Sequence, residues 1–182
     1  MTTPSPSGKE SPLVQALQSL LDAEHAAVYG YGVVGAKSEG AAKAQARTAY
    51  DAHRARRDEV ERLITAQGGR PRAAAPAYTL PFAVDTAADA SRLAVYLEDG
   101  VAAHLGDLVA ASGGDQRISA AKWLQQTAVD GARWRGASIA FPGLPERAAP
   151  GGAAAGAAAS SAAPSGSAAE SGASRAASGQ PS

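Results

Sequence analysis

Four stretches of this chain repeat apolar residues every three or four positions, and glycine or proline separates each from the next. The first opens at the helix-start pair Ser11-Pro12 and lays Leu13, Leu17, Leu20, Glu24, Ala27, Tyr31 and Val34 along one stripe, ending near Lys37. The second runs from about Gly40 to Gln67 and stops at Gly68-Gly69. Its inner stripe is Ala42, Ala46, Ala49, His53, Val60 and Leu63, with Arg56 or Arg57 at the remaining turn. On its other face Arg47 and Asp51, Arg54 and Asp58, and Arg57 and Glu61 are spaced as i,i+4 pairs, the pattern of a solvated face. The third follows a cap at Asp85 or Thr86 and runs to about Ala111 through Leu93, Val95, Leu97, Val101, Leu105 and Leu108. The fourth starts at Asp115 with Ile118, Ala121, Leu124 and Ala128 on one stripe and Trp123, Thr127, Asp130 and Trp134 on another. Beyond Gly136 the apolar piece from Ile139 to Leu144, broken by Pro142, is expected to lie back over the helices.

Two of the three links are short, and the third, Gly68 to Asp85, is long and carries Pro71, Pro76 and Pro81. Extended at roughly 3.3 Å per residue, it can travel the full length of a neighbouring helix. The expected fold is therefore all-α: two antiparallel hairpins joined by a long crossover between helices 2 and 3, the connectivity of a ferritin-like four-helix bundle. Composition divides the chain further. About a quarter of it is alanine, which inside residues 11–147 suits close helix packing at high helix propensity. From Ala148 to Ser182 every residue except Glu170, Arg175 and Gln180 is Ala, Gly, Ser or Pro, so nothing there can bury enough surface to offset the entropy of ordering. Residues 148–182 are expected to be a disordered tail and 1–10 a disordered leader, flanking the bundle at 11–147.

One polar layer interrupts the apolar stripes. Glu24, His53 and Glu98 lie near the middles of the first three helices, and Asp130 lies about one turn from the middle of the fourth, which places one ligand-capable group from each helix at a common height. Carboxylates and an imidazole converging inside an apolar bundle suit a hard or borderline cation such as iron or manganese, because each charge is otherwise costly to bury. A dinuclear carboxylate centre takes one Glu from each of two helices and a Glu-x-x-His from each of the other two. Glu24 and Glu98 match the single positions, but Tyr50 and His53 stand at one pair and Thr127 and Asp130 at the other. The alternative is a metal-free, hydrogen-bonded cluster in which Tyr31, Tyr50 or an arginine satisfies the carboxylates. His25 and His104 are outer candidates.

Charge and motifs then narrow the function. With no cysteine, disulfides and thiolate chemistry are excluded, and 17 basic against 17 acidic residues argues against general nucleic-acid binding. The balance conceals an asymmetry: residues 37–72 hold nine basic and five acidic groups, whereas 85–115 hold one and six. Such faces suit a protein partner or a second copy of the chain. Gly30 to Gly35 spells GxGxxG, but the dinucleotide fingerprint needs a strand before it, and here a long amphipathic helix precedes it. Arg133-Trp134-Arg135 falls at a helix end, where cations complement the dipole. No stretch is long and apolar enough for a membrane span or a secretory leader, so a cytoplasmic location is expected.

Four segments in order carry a resemblance: Ala23-Glu24-His25-Ala26-Ala27-Val28-Tyr29-Gly30-Tyr31-Gly32, Ala49-Tyr50-Asp51-Ala52-His53-Arg54-Ala55-Arg56-Arg57-Asp58, Ala75-Pro76-Ala77-Tyr78-Thr79-Leu80-Pro81-Phe82 and Phe141-Pro142-Gly143-Leu144-Pro145-Glu146-Arg147. Over Leu13 to Arg147 the chain resembles an actinobacterial ferritin-like domain family of unknown function. The resemblance implies a ferritin-like bundle and supplies no activity. The sequence thus leaves three readings: a bundle with a degenerate centre that holds a metal, a metal-free interaction or scaffold module, and a divergent di-metal oxidase.

Overall fold

The computed structural model describes residues 10–142, and among them it holds four α-helices and no strand: α1 (Pro12–Ala36), α2 (Gly40–Ala66), α3 (Ala87–Ala111) and α4 (Gly114–Arg135). The expected tail at 148–182, and the expected leader apart from Glu10, lie outside the described residues. Local chemistry sets the helix ends. Ser11 Oγ accepts from the Val14 amide at 3.2 Å with Pro12 in the first turn, and Thr86 with Asp89 closes a reciprocal capping box on α3. Gly136 ends α4 at φ 75°, a left-handed conformation that glycine adopts without the cost a Cβ imposes.

The four helices form a bundle of two hairpins. α1 lies against α2 and α3, and α3 lies against α4, while α2 and α4 approach less closely and meet through side chains. The link from α2 to α3 runs along the outside of α1. It is held by a stripe that advances four, three and four residues along that helix: Gln18 Nε2 donates to the Arg70 carbonyl at 2.8 Å, Asp22 pairs with Arg72 at 2.7 Å, His25 Nε2 meets the Arg72 carbonyl at 3.2 Å, and the Tyr29 ring packs tilted against Tyr78 with centroids 5.5 Å apart. The Arg72 amide also returns a hydrogen bond to Gln18 Oε1. The crossover therefore travels parallel to α1 and delivers the chain to the start of α3. There, buried Val84 and the flanking Leu80 and Phe82 join the core.

Two apolar clusters fill the bundle. Leu17, Leu20, Leu21, Val60, Ile64, Val101, Leu105 and Leu108 make one, and Tyr31, Val34, Ala46, Ala49, Leu93 and Ala94 are the chief members of the other. Each fully buried Leu or Ile contributes roughly 1.5–3 kcal/mol. Where the helices come closest, small residues make room. A Cβ built on Gly30 would sit 2.6 Å from Leu97 Cδ1, and one on Gly131 would sit 3.3 Å from Glu98 Cβ. Gly30 thus serves helix contact, and the GxGxxG string lies wholly inside α1.

Two expectations are corrected. Of the expected α4 stripe, Ile118 and Ala121 face outward, with Ile118 55% exposed, whereas Leu124 packs against the core; the buried residues of that helix are Ala120, Thr127 and Gly131. On α2, Arg47 does pair with Asp51, but Asp58 is held by Arg57, Arg62 pairs with Glu59, and Arg54 lies over the Tyr50 ring. No helix among the described residues is long and apolar enough to cross a membrane.

Candidate functional site: a buried ionic layer between two apolar cores

Glu24, His53 and Glu98 meet at mid-height, as their positions in the sequence predict, and all three are buried. Apolar neighbours on every side deprive these groups of water, so each must find its partner within the protein. His53 provides the link: Nδ1 lies 2.8 Å from Glu24 Oε2 and Nε2 lies 3.3 Å from Glu98 Oε1. An arginine and a tyrosine complete the layer. Arg56, one turn after His53 on α2, donates from Nε to Glu24 Oε1 at 2.5 Å and from Nη1 to Thr127 Oγ1 at 3.1 Å, which ties α2 to α1 and to α4. The Tyr31 hydroxyl donates to Glu98 Oε1 at 2.5 Å, and its ring stacks on the His53 imidazole with centroids 5.0 Å apart.

The electrostatics follow from this geometry. Burial by itself lowers the His53 pKa, but hydrogen bonds to Glu24 and Glu98 and their negative charges outweigh it and hold the value up at about 9. The two carboxylates thus favour the imidazolium form of His53. Arg56 Nη2 lies 3.0 Å from the same Nδ1, a crowding of two cations made tolerable by the carboxylates around them. Burial, then the Glu98 charge and hydrogen bond, push the Tyr31 hydroxyl far above its ordinary value, so it stays protonated and acts as a donor. Two carboxylates against one guanidinium and one imidazolium leave the layer neutral.

The other expected residues go elsewhere. Asp130 does not enter the layer: its carboxylate accepts from Gln126 at 2.9 Å and Arg133 at 2.9 Å and lines a cleft of about 320 Å³ between α2 and α4. Thr127, one turn earlier, takes the inward position on α4. Tyr50 packs at the margin of the core beneath Arg54, away from the carboxylates. His25 fastens the crossover, and His104 lines a separate cavity between α1 and α3. Arg135 Nη2 donates to both Asp99 carboxylate oxygens at 2.7 and 2.8 Å, and Trp134 packs near Tyr31 with ring centroids 6.3 Å apart, so the Arg-Trp-Arg string serves structure.

These neighbours decide how the layer fits a metal. A dinuclear centre needs two further carboxylates, where this chain has Tyr50 and Thr127, and it needs donors free to bind. Here both ring nitrogens of His53 already face carboxylate oxygens, and both carboxylates accept short hydrogen bonds from Tyr31 and Arg56. Among the described residues no group of three or more His, Asp or Glu side chains is arranged to hold a metal ion. The donor set does not fit a dinuclear metal centre, and the Arg56 guanidinium supplies positive charge against Glu24 where such a centre has its cation.

Comparison with known proteins agrees with the fold and adds no activity. No curated protein matches the chain. A crystal structure of a conserved hypothetical protein from Mycobacterium tuberculosis is similar, with 38% sequence identity, a TM-score of 0.67, and coverage of 70% of this chain and 98% of that one. The family described as Domain of unknown function (DUF4439) matches residues 16–146, which takes in the whole ionic layer and all four helices but for the first turn of α1, and the chain belongs to that family.

Proposed function

We propose that this chain is a ferritin-like helical module in which a salt-bridged, charge-neutral layer stands in place of a metal centre, and that it works by binding a protein partner or a second copy of itself. The observation that carries the reading is the Arg56 guanidinium between Glu24 and Thr127, beside an imidazole held by both carboxylates. A cation built into the chain leaves no open coordination position and no redox centre. The layer then fixes the register of four helices, and the outer faces are left to do the binding. On α4, Ile118 and Val129 remain 55% and 41% exposed and lie three turns apart on one face, apolar surface suited to a contact.

A second reading keeps a metal. Glu24, His53 and Glu98 are ligand types that suit iron or manganese and do meet in one layer, so withdrawal of Arg56 and deprotonation of His53 would open a mononuclear site. Asp130 is too engaged with Arg133 to favour it. Metal analysis of the full chain purified without chelator, with thermal melts in iron, manganese and zinc, separates the two. The proposal expects no stoichiometric metal and an unchanged melting temperature. A bound equivalent of metal together with a raised melting temperature would overturn it.

A further inference from the structure

A cavity of about 530 Å³ lies between α1 and α3, and no residue of the ionic layer lines it. Its cause is local. Ala23 and Ala26 on α1 face Gly100 and Ala103 on α3, so both helices lack side chains at the same height. Nearby the same two helices pack without a gap, since a Cβ on Gly30 would collide with Leu97. The cleft is therefore a hollow cut by small residues, and the seam itself is not splayed.

Its walls are chemically uneven. Ile139 and Phe141, from the segment after α4, close one side, which is where the sequence places an apolar strap. Tyr96 and Phe141 stand at the rim although they are 55% and 41% exposed, two of the few large apolar side chains the fold leaves outside. His104 is the imidazole of the lining, and its Nδ1 is buried with no hydrogen-bond partner among the described residues. Arg135 and Asp99 at the edge neutralise each other, so the mouth favours neither sign of charge. A concave, mostly apolar space of this size, rimmed by aromatics and holding one polar group with an unmet hydrogen bond, has the make-up of a small-molecule site.

We propose that the α1/α3 cleft binds an uncharged amphipathic small molecule, with an apolar ring or chain seated on Ala23, Ala26, Gly100 and Ala103 and a single hydrogen-bonding group turned toward His104. The inference stands apart from the metal-free layer, because no residue of the cleft belongs to that layer.

The test uses the full chain and the neutral apolar fluorophore N-phenyl-1-naphthylamine. Gly100→Leu is the filling variant, since a Cβ at Gly100 meets nothing within 4 Å and its side chain would grow into the empty space. The expected result is saturable binding at one site per chain, weakened at least tenfold in Gly100→Leu with the melting temperature held or raised. Addition of the probe should also shift the His104 ring resonances, with those of His25 unmoved. No saturable binding to the native chain would overturn the proposal. So would equal binding by Gly100→Leu at an unchanged melting temperature. Should Gly100→Leu fail to fold, Ala103→Leu carries the same prediction.

Discussion

Arg47 and Arg56 lie on the same helix, and each pairs with a carboxylate, yet the two pairs are unlike in consequence. Arg47 meets Asp51 at 3.1 Å with side chains 78% and 51% exposed, whereas Arg56 meets Glu24 at 2.5 Å with side chains 9% and 0% exposed. The outer pair exchanges hydration for a contact of nearly equal free energy and is screened by salt. The inner pair has no water to return to, so each charge depends on the other and on His53, Glu98, Tyr31 and Thr127. Burial, more than charge, decides which ion pair specifies the structure.

Several substitutions press on that difference. The largest effect is expected from Glu24→Ala, which strands Arg56 and the His53 imidazolium in an apolar interior. Urea unfolding should show a loss of about 3–5 kcal/mol, and a loss below about 1 kcal/mol would mean the layer is not the closed network described. Next comes pH. His53 rises from its unfolded value of about 6.5 to about 9 in the fold, so between those values the folded state binds the extra proton. The stabilisation is complete below pH 6.5 and is lost as pH rises through 9, with a total of about 3 kcal/mol. Unfolding free energies measured from pH 6 to 10 should fall accordingly, and His53→Gln should flatten the slope. Tyr31→Phe removes the hydroxyl donor from Glu98 and leaves a buried carboxylate short of one hydrogen bond, a loss of about 1–3 kcal/mol by the same measurement. Asp51→Ala, on the outer face, should change stability by less than about 0.5 kcal/mol.

Much of this arrangement was legible in the residues, for identifiable reasons. Leu17, Leu20, Glu24, Ala27, Tyr31 and Val34 form a strongly periodic stripe, and every one of them is buried. The similar lengths of the first three helices, 25, 27 and 25 residues, then carry Glu24, His53 and Glu98 to one height. Choosing between Arg56 and Arg57 was harder, because adjacent residues differ by 100° around a helix and both neighbours are charged. The structure turns Arg56 inward and gives Arg57 to Asp58. The apolar pattern is weakest in α4. Its buried residues are Ala120, Thr127 and Gly131, small residues that carry little hydrophobic signal, while the larger Ile118 falls outside. A modest rotation of that helix is enough to bring Thr127 in and leave Asp130 with Arg133. Gln18 and His25 were opaque for another reason. Their partners are carbonyls of an irregular segment, which has no periodicity to match.

The protonation state of His53 tests the central claim most directly, because a charge-neutral layer without metal requires an imidazolium. Ring NMR of the full chain labelled at histidine should show both His53 N–H protons at pH 7, a titration midpoint near 9, and no change on adding zinc. A neutral His53 at pH 7, or a ring proton displaced by one equivalent of zinc, would contradict the account.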